Sequence, residues 1–232
     1  MFLRATLPKN HLTDESKEII KMSSGLIATM TALVLGLLVA SAKTRYDLAR
    51  SEVIELSANA LLLDSMLQHY GPETKEIRTM LRSVTQNACD RIWSQDVGAA
   101  SQNQPAPFEA DEFIDRVQQL SPHNDAQRAI LTDCRAQLAT LSRTRLLLYE
   151  QASSSVSVPL VVVVVSWLTI IFVSFGLFAP RNATVIGALL VGALSVSGAM
   201  FLILELDKPF SGSIRISRAP VQHALEVLGR DN

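Results

Sequence analysis

Hydrophobic and polar positions along this chain fall into two regimes. In three stretches the polar positions lose their charge altogether. Met22 to Ala42 lies between Lys21 and Lys43, Gln151 to Pro180 between Glu150 and Arg181, and Asn182 to Leu204 between Arg181 and Glu205. A hydrocarbon core of about 30 Å takes about 20 apolar helical residues. In lipid every backbone amide must find its partner inside the segment, so such stretches are helices. The pattern predicts membrane helices over 22–42, 157–179 and 184–206. Thr13 is the expected N-cap of the first, with Asp14 and Glu15 in its first turn.

Between the first and second stretches the pattern turns amphipathic. Tyr46, Ala49, Val53, Leu56, Ala60, Leu63, Leu67 and Tyr70 recur in alternating steps of three and four, a heptad seam that continues the first span. It packs either within the chain or between subunits. Gly71-Pro72 ends it, since glycine suits the position after a helix and proline the first turn of the next. Ile77, Leu81, Val84, Ala88 and Ile92 predict a second helix, 98–107 (GAASQNQPAP) a loop, Phe108 to Leu120 a third helix, and Ser121-Pro122 the start of a fourth. The fourth carries Ile130, Cys134, Leu138, Leu141 and Leu148 on one face and runs on toward the second span. The fold class expected is all-α: a membrane bundle with a helical extension of about four helices over 43–150. A polar arm over 1–21 precedes it, and a tail over 207–232 follows, with a short amphipathic helix bearing Val221, Ala224, Leu225 and Leu228.

Within the spans small residues recur. Ser24, Ala28, Ala32, Gly36 and Ala40 are four apart, the small-residue spacing that lets membrane helices approach closely. Thr29 and Thr31 add hydroxyls able to bond back to the helix. No Asp, Glu, Lys, Arg or His lies in a span before Glu205 at the end of the third, and no proline interrupts one mid-membrane, which disfavours ion-coupled transport. An apolar constriction that gates by dewetting is compatible. Glu205 and Asp207 end the third span; they read either as membrane-edge charges with Lys208 as local partner or as acids at a channel mouth.

Charge sets the orientation. The side holding 43–150 and the C-terminus carries Lys43, Arg45, Arg50, Arg143, Arg145, Lys208, Arg215 and Arg218 near the membrane. The other side has Lys9, Lys17, Lys21 and Arg181. The positive-inside rule places the larger set in the cytoplasm. The net charge of −1 leaves no basic footprint for nucleic acid. Asn182-Ala183-Thr184 has the form of a glycosylation sequon but lies in a short turn between spans.

Candidate chemistry adds little. His11, His69, His123 and His223 are scattered, without metal-ligand spacing, and no phosphate loop, nucleophile elbow or HExxH occurs. Glu109, Asp111, Glu112 and Asp115 lack the glycine turn of a calcium loop. Cys89 and Cys134 have no CxxC spacing and read as reduced, semi-buried small hydrophobes. No cofactor, metal or enzymatic activity is expected.

Several segments nonetheless resemble one family. Gly25-Leu26-Ile27-Ala28-Thr29, Leu33-Val34-Leu35-Gly36-Leu37, Ser41-Ala42-Lys43, Tyr70-Gly71-Pro72-Glu73 and 204–212 (LELDKPFSG) are similar to the bacterial bestrophin-like family, a distant relation of the bestrophin anion channels. The resemblance spans nearly the whole chain. It implies one further N-terminal membrane helix, a homo-oligomer (a pentamer if bestrophin-type) and an inner-membrane location. It also implies an apolar neck lined by Thr29, Leu33 and Leu37, with anions as the expected permeant ions. The alternative from a different class is a non-conducting scaffold or sensor that binds a protein partner through the Tyr46–Tyr70 seam.

Overall fold

The structure, a computed structural model, describes residues 14–93, 107–153, 158–178 and 182–230. The proposed Thr13 cap and the loop over 98–106 lie outside the described residues. Every described element is helical: α1 (Asp14–Tyr70), a 3-10 turn (Pro72–Thr74), α2 (Lys75–Trp93), α3 (Pro107–Gln118), α4 (Asp125–Ser153), α5 (Val158–Phe178), α6 (Ala183–Leu206) and α7 (Ala219–Val227). The chain divides into two compact units, 1–45 with 155–207 and 46–154 with 208–232. α1 contributes to both, and its 57 residues are more than twice what one bilayer crossing takes.

The first unit holds three helices long and apolar enough to cross a membrane: the N-terminal part of α1, α5 from Pro159 to Leu177, and α6. Their surfaces are as apolar as their interiors. Val162, Ile170, Val173 and Phe175 of α5 and Ile186, Leu190, Leu194 and Phe201 of α6 are exposed. Water would not tolerate that surface, and lipid does. α6 opens on Asn182, whose side chain accepts from the Val185 N–H at 2.9 Å. This asparagine is a helix cap, which accounts for its presence in the sequon-like triplet.

The second unit follows the rules of water. Its core gathers Ala49, Val53, Leu63, Leu67 and Tyr70 from α1, Ile77, Leu81, Cys89 and Trp93 from α2, and Phe113 and Val117 from α3. Leu131, Cys134 and Leu138 of α4 join them, with Ile216, Val221, Leu225 and Leu228 from the C-terminal segment. The heptad seam of α1 is thus filled from within the chain. On α2 the buried line runs through Leu81, Thr85, Cys89 and Trp93, while Ala88 and Ile92 are only half-buried. Ile77 and Leu81 are buried as the sequence pattern predicts, and from Val84 onward the buried line shifts by one position, through Thr85, which carries no hydrophobic signal, to Cys89 and Trp93.

Turn chemistry sets the helix ends. Gly71 takes φ +149°, a region L side chains avoid, and a Cβ there would collide with the Glu73 carboxylate. The buried Thr74 hydroxyl donates to the carbonyls of Leu67 and Gly71, satisfying acceptors that the end of α1 leaves open. α4 begins at Asp125, not at Ser121-Pro122. Asn124 Oδ1 accepts from the Gln127 N–H at 2.7 Å, and Gln127 Oε1 accepts from the His123 N–H at 2.8 Å. This reciprocal pair is a capping box shifted by one residue. Gln127 Nε2 then donates to the Tyr70 carbonyl at 2.9 Å, tying the start of α4 to the end of α1.

Two polar fixtures hold the C-terminal segment. Arg78 of α2 grips Asp64 of α1 bidentately at 2.9 and 3.0 Å and donates to the Arg230 carbonyl at 2.9 Å, with both side chains buried. At the far end of α2, Trp93 Nε1 donates to the Ile216 carbonyl at 3.0 Å. Arg218 donates to the Trp93 carbonyl at 2.8 Å and lies over the indole. A cation at the last carbonyl of a helix opposes the helix dipole favourably. The apolar face of α7 is consequently buried against this core and not free to lie in a bilayer.

Candidate functional site

The sequence nominates one face of α1 and the acids at the end of α6. α1 can be read by angle. From Ala49, steps of 3.6 residues toward the N-terminus arrive near Arg45, Ala42, Leu38, Thr31 and Ser24. The last four are the residues of the membrane part that the structure buries, and Arg45 is half-buried. Thr29, Leu33 and Leu37 centre about half a turn away from that line. They are exposed, Leu33 at 76% and Leu37 at 64% of full accessibility. Among the described residues of a single chain, none covers this apolar face.

The small-residue line behaves differently from a packing stripe within one chain. Ser24 is buried, Ala28 half-buried, and Ala32, Gly36 and Ala40 are exposed; nothing lies within 4 Å of a Cβ placed on Gly36. A spacing of four precesses by about 40° per step against a 3.6-residue turn. A line that starts on the buried face winds off it within three steps. The line buried within one chain follows the α1 seam carried upstream at helical period, and it includes Leu38 and Thr31, which a search for small residues passes over.

Both threonines bond back to their own helix. Thr29 donates to the Leu26 carbonyl at 2.8 Å and Thr31 to the Ile27 carbonyl at 2.7 Å. The Thr29 oxygen keeps acceptor capacity on the exposed face. Asp207 forms its ion pair with Arg45 of α1 at 3.0 Å. Its partner lies on another helix and is not the local Lys208. This clasp joins the end of α6 to α1 at the point where charge returns to both. Glu205 is half-buried. Among the described residues no three His, Cys, Asp or Glu side chains converge as a metal centre.

Three bilayer-length apolar helices, together with a second helical unit built on a water-type core, define a multi-pass helical membrane protein. A family model described as the bestrophin-like domain matches residues 1–221, and the chain belongs to that family. No curated protein matches it. Among solved structures, a bacterial bestrophin homologue from Klebsiella pneumoniae, in a single-substitution variant, is similar with a TM-score of 0.70 at 13% identity. That match covers 88% of this chain and 85% of the other. A further structure of the Klebsiella pneumoniae homologue, solved by zinc phasing, gives 0.69 at 13% identity, covering 90% and 84%. At that identity the likeness shows the fold, and the anticipated all-α bestrophin-type architecture is the one observed.

Proposed function

We propose that copies of this chain close into a ring, a pentamer on the family pattern, in a bacterial inner membrane. The ring conducts ions along an axis lined by Thr29, Leu33 and Leu37. The observation that carries this reading is the position of those residues. They occupy the uncovered side of α1, opposite the line that packs against the chain's own helices. Leucine rings with an adjacent hydroxyl make a neck that opposes hydrated ions until it widens or wets. In this reading Arg45 and Asp207 act as a clasp that holds α1 against α6, and Asp207 is not a bare acid at the mouth. Glu205 remains the mouth candidate. The excess of basic residues beside the membrane supports a cytoplasmic placement for the second unit and the C-terminus.

The scaffold reading relied on the seam from Tyr46 to Tyr70 as a partner surface. That seam is occupied by α2, α4 and the chain's other core residues, so no observation favours it. The test is native mass spectrometry of the protein in mild detergent, followed by planar-bilayer recording. A closed ring with a current that rises when Leu33 and Leu37 are both replaced by alanine supports the proposal. A monomer or dimer, or no current above the empty bilayer, overturns it.

A further inference from the structure

We infer that the loop from Lys208 to Ile216 is an anionic-lipid contact, in which Lys208 and Arg215 meet headgroup phosphates and Ile214 enters the interfacial layer. The inference requires the bilayer setting but not conduction.

The loop is a built object. The Ile216 N–H donates to the Pro209 carbonyl at 2.8 Å and closes its base, and the Ser211 N–H donates to the Lys208 carbonyl at 3.2 Å. Gly212 turns the chain at φ +88°, a conformation glycine takes without strain. The inner side is committed to the core. Phe210 meets Trp93 edge-on with ring centres 5.5 Å apart, and Ile216 is buried with its carbonyl held by Trp93. The outer side presents Lys208, Gly212, Ser213, Ile214 and Arg215, all exposed. Ile214 and Ile216 differ by two positions, yet one is sunk in the core and the other faces outward at 37% accessibility.

Charge and position identify the partner. From Lys208 to Leu225 the chain carries Lys208, Arg215 and Arg218 and no acid. Arg218 is spent on Trp93, which leaves the other two outward. Lys208 follows the last residue of α6 by two positions, so chain geometry keeps it within about 7 Å of the end of a candidate membrane span. The Ile216–Pro209 hydrogen bond brings Arg215 back beside Lys208 along the chain, and two cations flanking an exposed aliphatic side chain match an interface of phosphates over acyl carbon. The apolar face of α7, the other candidate for membrane contact, is already buried.

The experiment titrates phosphatidylglycerol and phosphatidylcholine separately into the full chain in mild detergent and counts bound lipids by native mass spectrometry. The wild type should prefer phosphatidylglycerol, and high salt should erase the preference. Lys208→Gln and Arg215→Gln should each lower it about fivefold, the effect of one basic residue at an anionic surface. Ile214→Gln should weaken binding of both lipids without changing their ratio. A control pair, Arg82→Gln with Arg116→Gln, removes the same charge from α2 and α3 and should leave the preference intact. A wild type that shows no preference, or a control pair that loses as much as either loop variant, overturns the inference.

Discussion

The two units of this molecule solve the packing problem in opposite ways. In the second unit large apolar side chains are inside: Leu63, Leu67, Leu81, Val117 and Leu228 are fully buried, and polar residues cover them. In the first unit many large apolar side chains are outside, although Leu38, Val164, Ile171, Ile203 and Leu206 are buried, and the buried line of α1 includes a serine, a threonine and an alanine. Water makes apolar burial the driving force, whereas lipid is as apolar as leucine and leaves close approach and hydroxyl bonding to organise the interior. Burial therefore marks importance for folding in one unit. In the other, exposure marks the surface left over for lipid or for another copy.

The sharpest way to break this comparison is at the buried ion pair of the water-type unit. Asp64→Ala leaves the Arg78 guanidinium buried without its carboxylate and loosens its hold on the Arg230 carbonyl. It should cost about 3–5 kcal/mol, read as a lower unfolding midpoint of the second unit. The next effect sets one leucine against another. Leu63→Ala empties a fully buried site and should cost about 2–5 kcal/mol. Leu33→Ala, on the uncovered face of α1, should stay within about 0.5 kcal/mol while altering conduction. Equal costs would mean that Leu33 is a packing residue.

The cysteines sharpen the same contrast through pH. Cys134 is fully buried, and burial pushes its thiol up to about 11, with Asp133 adding to the rise; burial likewise raises Cys89. The native thiols should resist maleimide at pH 8 and react only on unfolding. Because the folded values lie above the unfolded one, this contribution is fully present below about pH 9. It falls as pH rises toward 11, since the unfolded state loses its protons first. A native thiol that labels at pH 8 would show the core open. The smallest effect belongs to Tyr70, whose buried hydroxyl meets no hydrogen-bond partner among the described residues. Tyr70→Phe should be neutral or stabilising by up to about 1 kcal/mol, and a marked loss would reveal a bonded group at that oxygen.

What was legible in the sequence follows from contrast. The Tyr46–Tyr70 seam stands against charged flanks, so its period identified a buried face correctly. The spans were legible as a class because the absence of charge is itself the signal. Within a span no position is charged, so polarity does not mark the face buried within one chain; that face emerges only when the helical period of the seam is carried upstream from Ala49, and a four-residue spacing precesses off it. Arg78 is buried because Asp64, fourteen residues away on another helix, satisfies it, and Thr85 because its hydroxyl bonds back to the Leu81 carbonyl one turn earlier; neither carries a hydrophobic signal. Asp207 with Arg45 is the same case. Two charges at the ends of separate neutral stretches belong together once the end of α6 meets α1, yet the local pattern offers only Lys208.

The central claim, that the uncovered face of α1 lines a conducting axis, is tested most directly by single-channel recording of Leu33→Cys before and after a water-soluble methanethiosulfonate. The native thiols are buried and protonated and do not compete. The account predicts a current that falls in irreversible steps as each copy is modified. A current unchanged by the reagent would place Leu33 in lipid and contradict it.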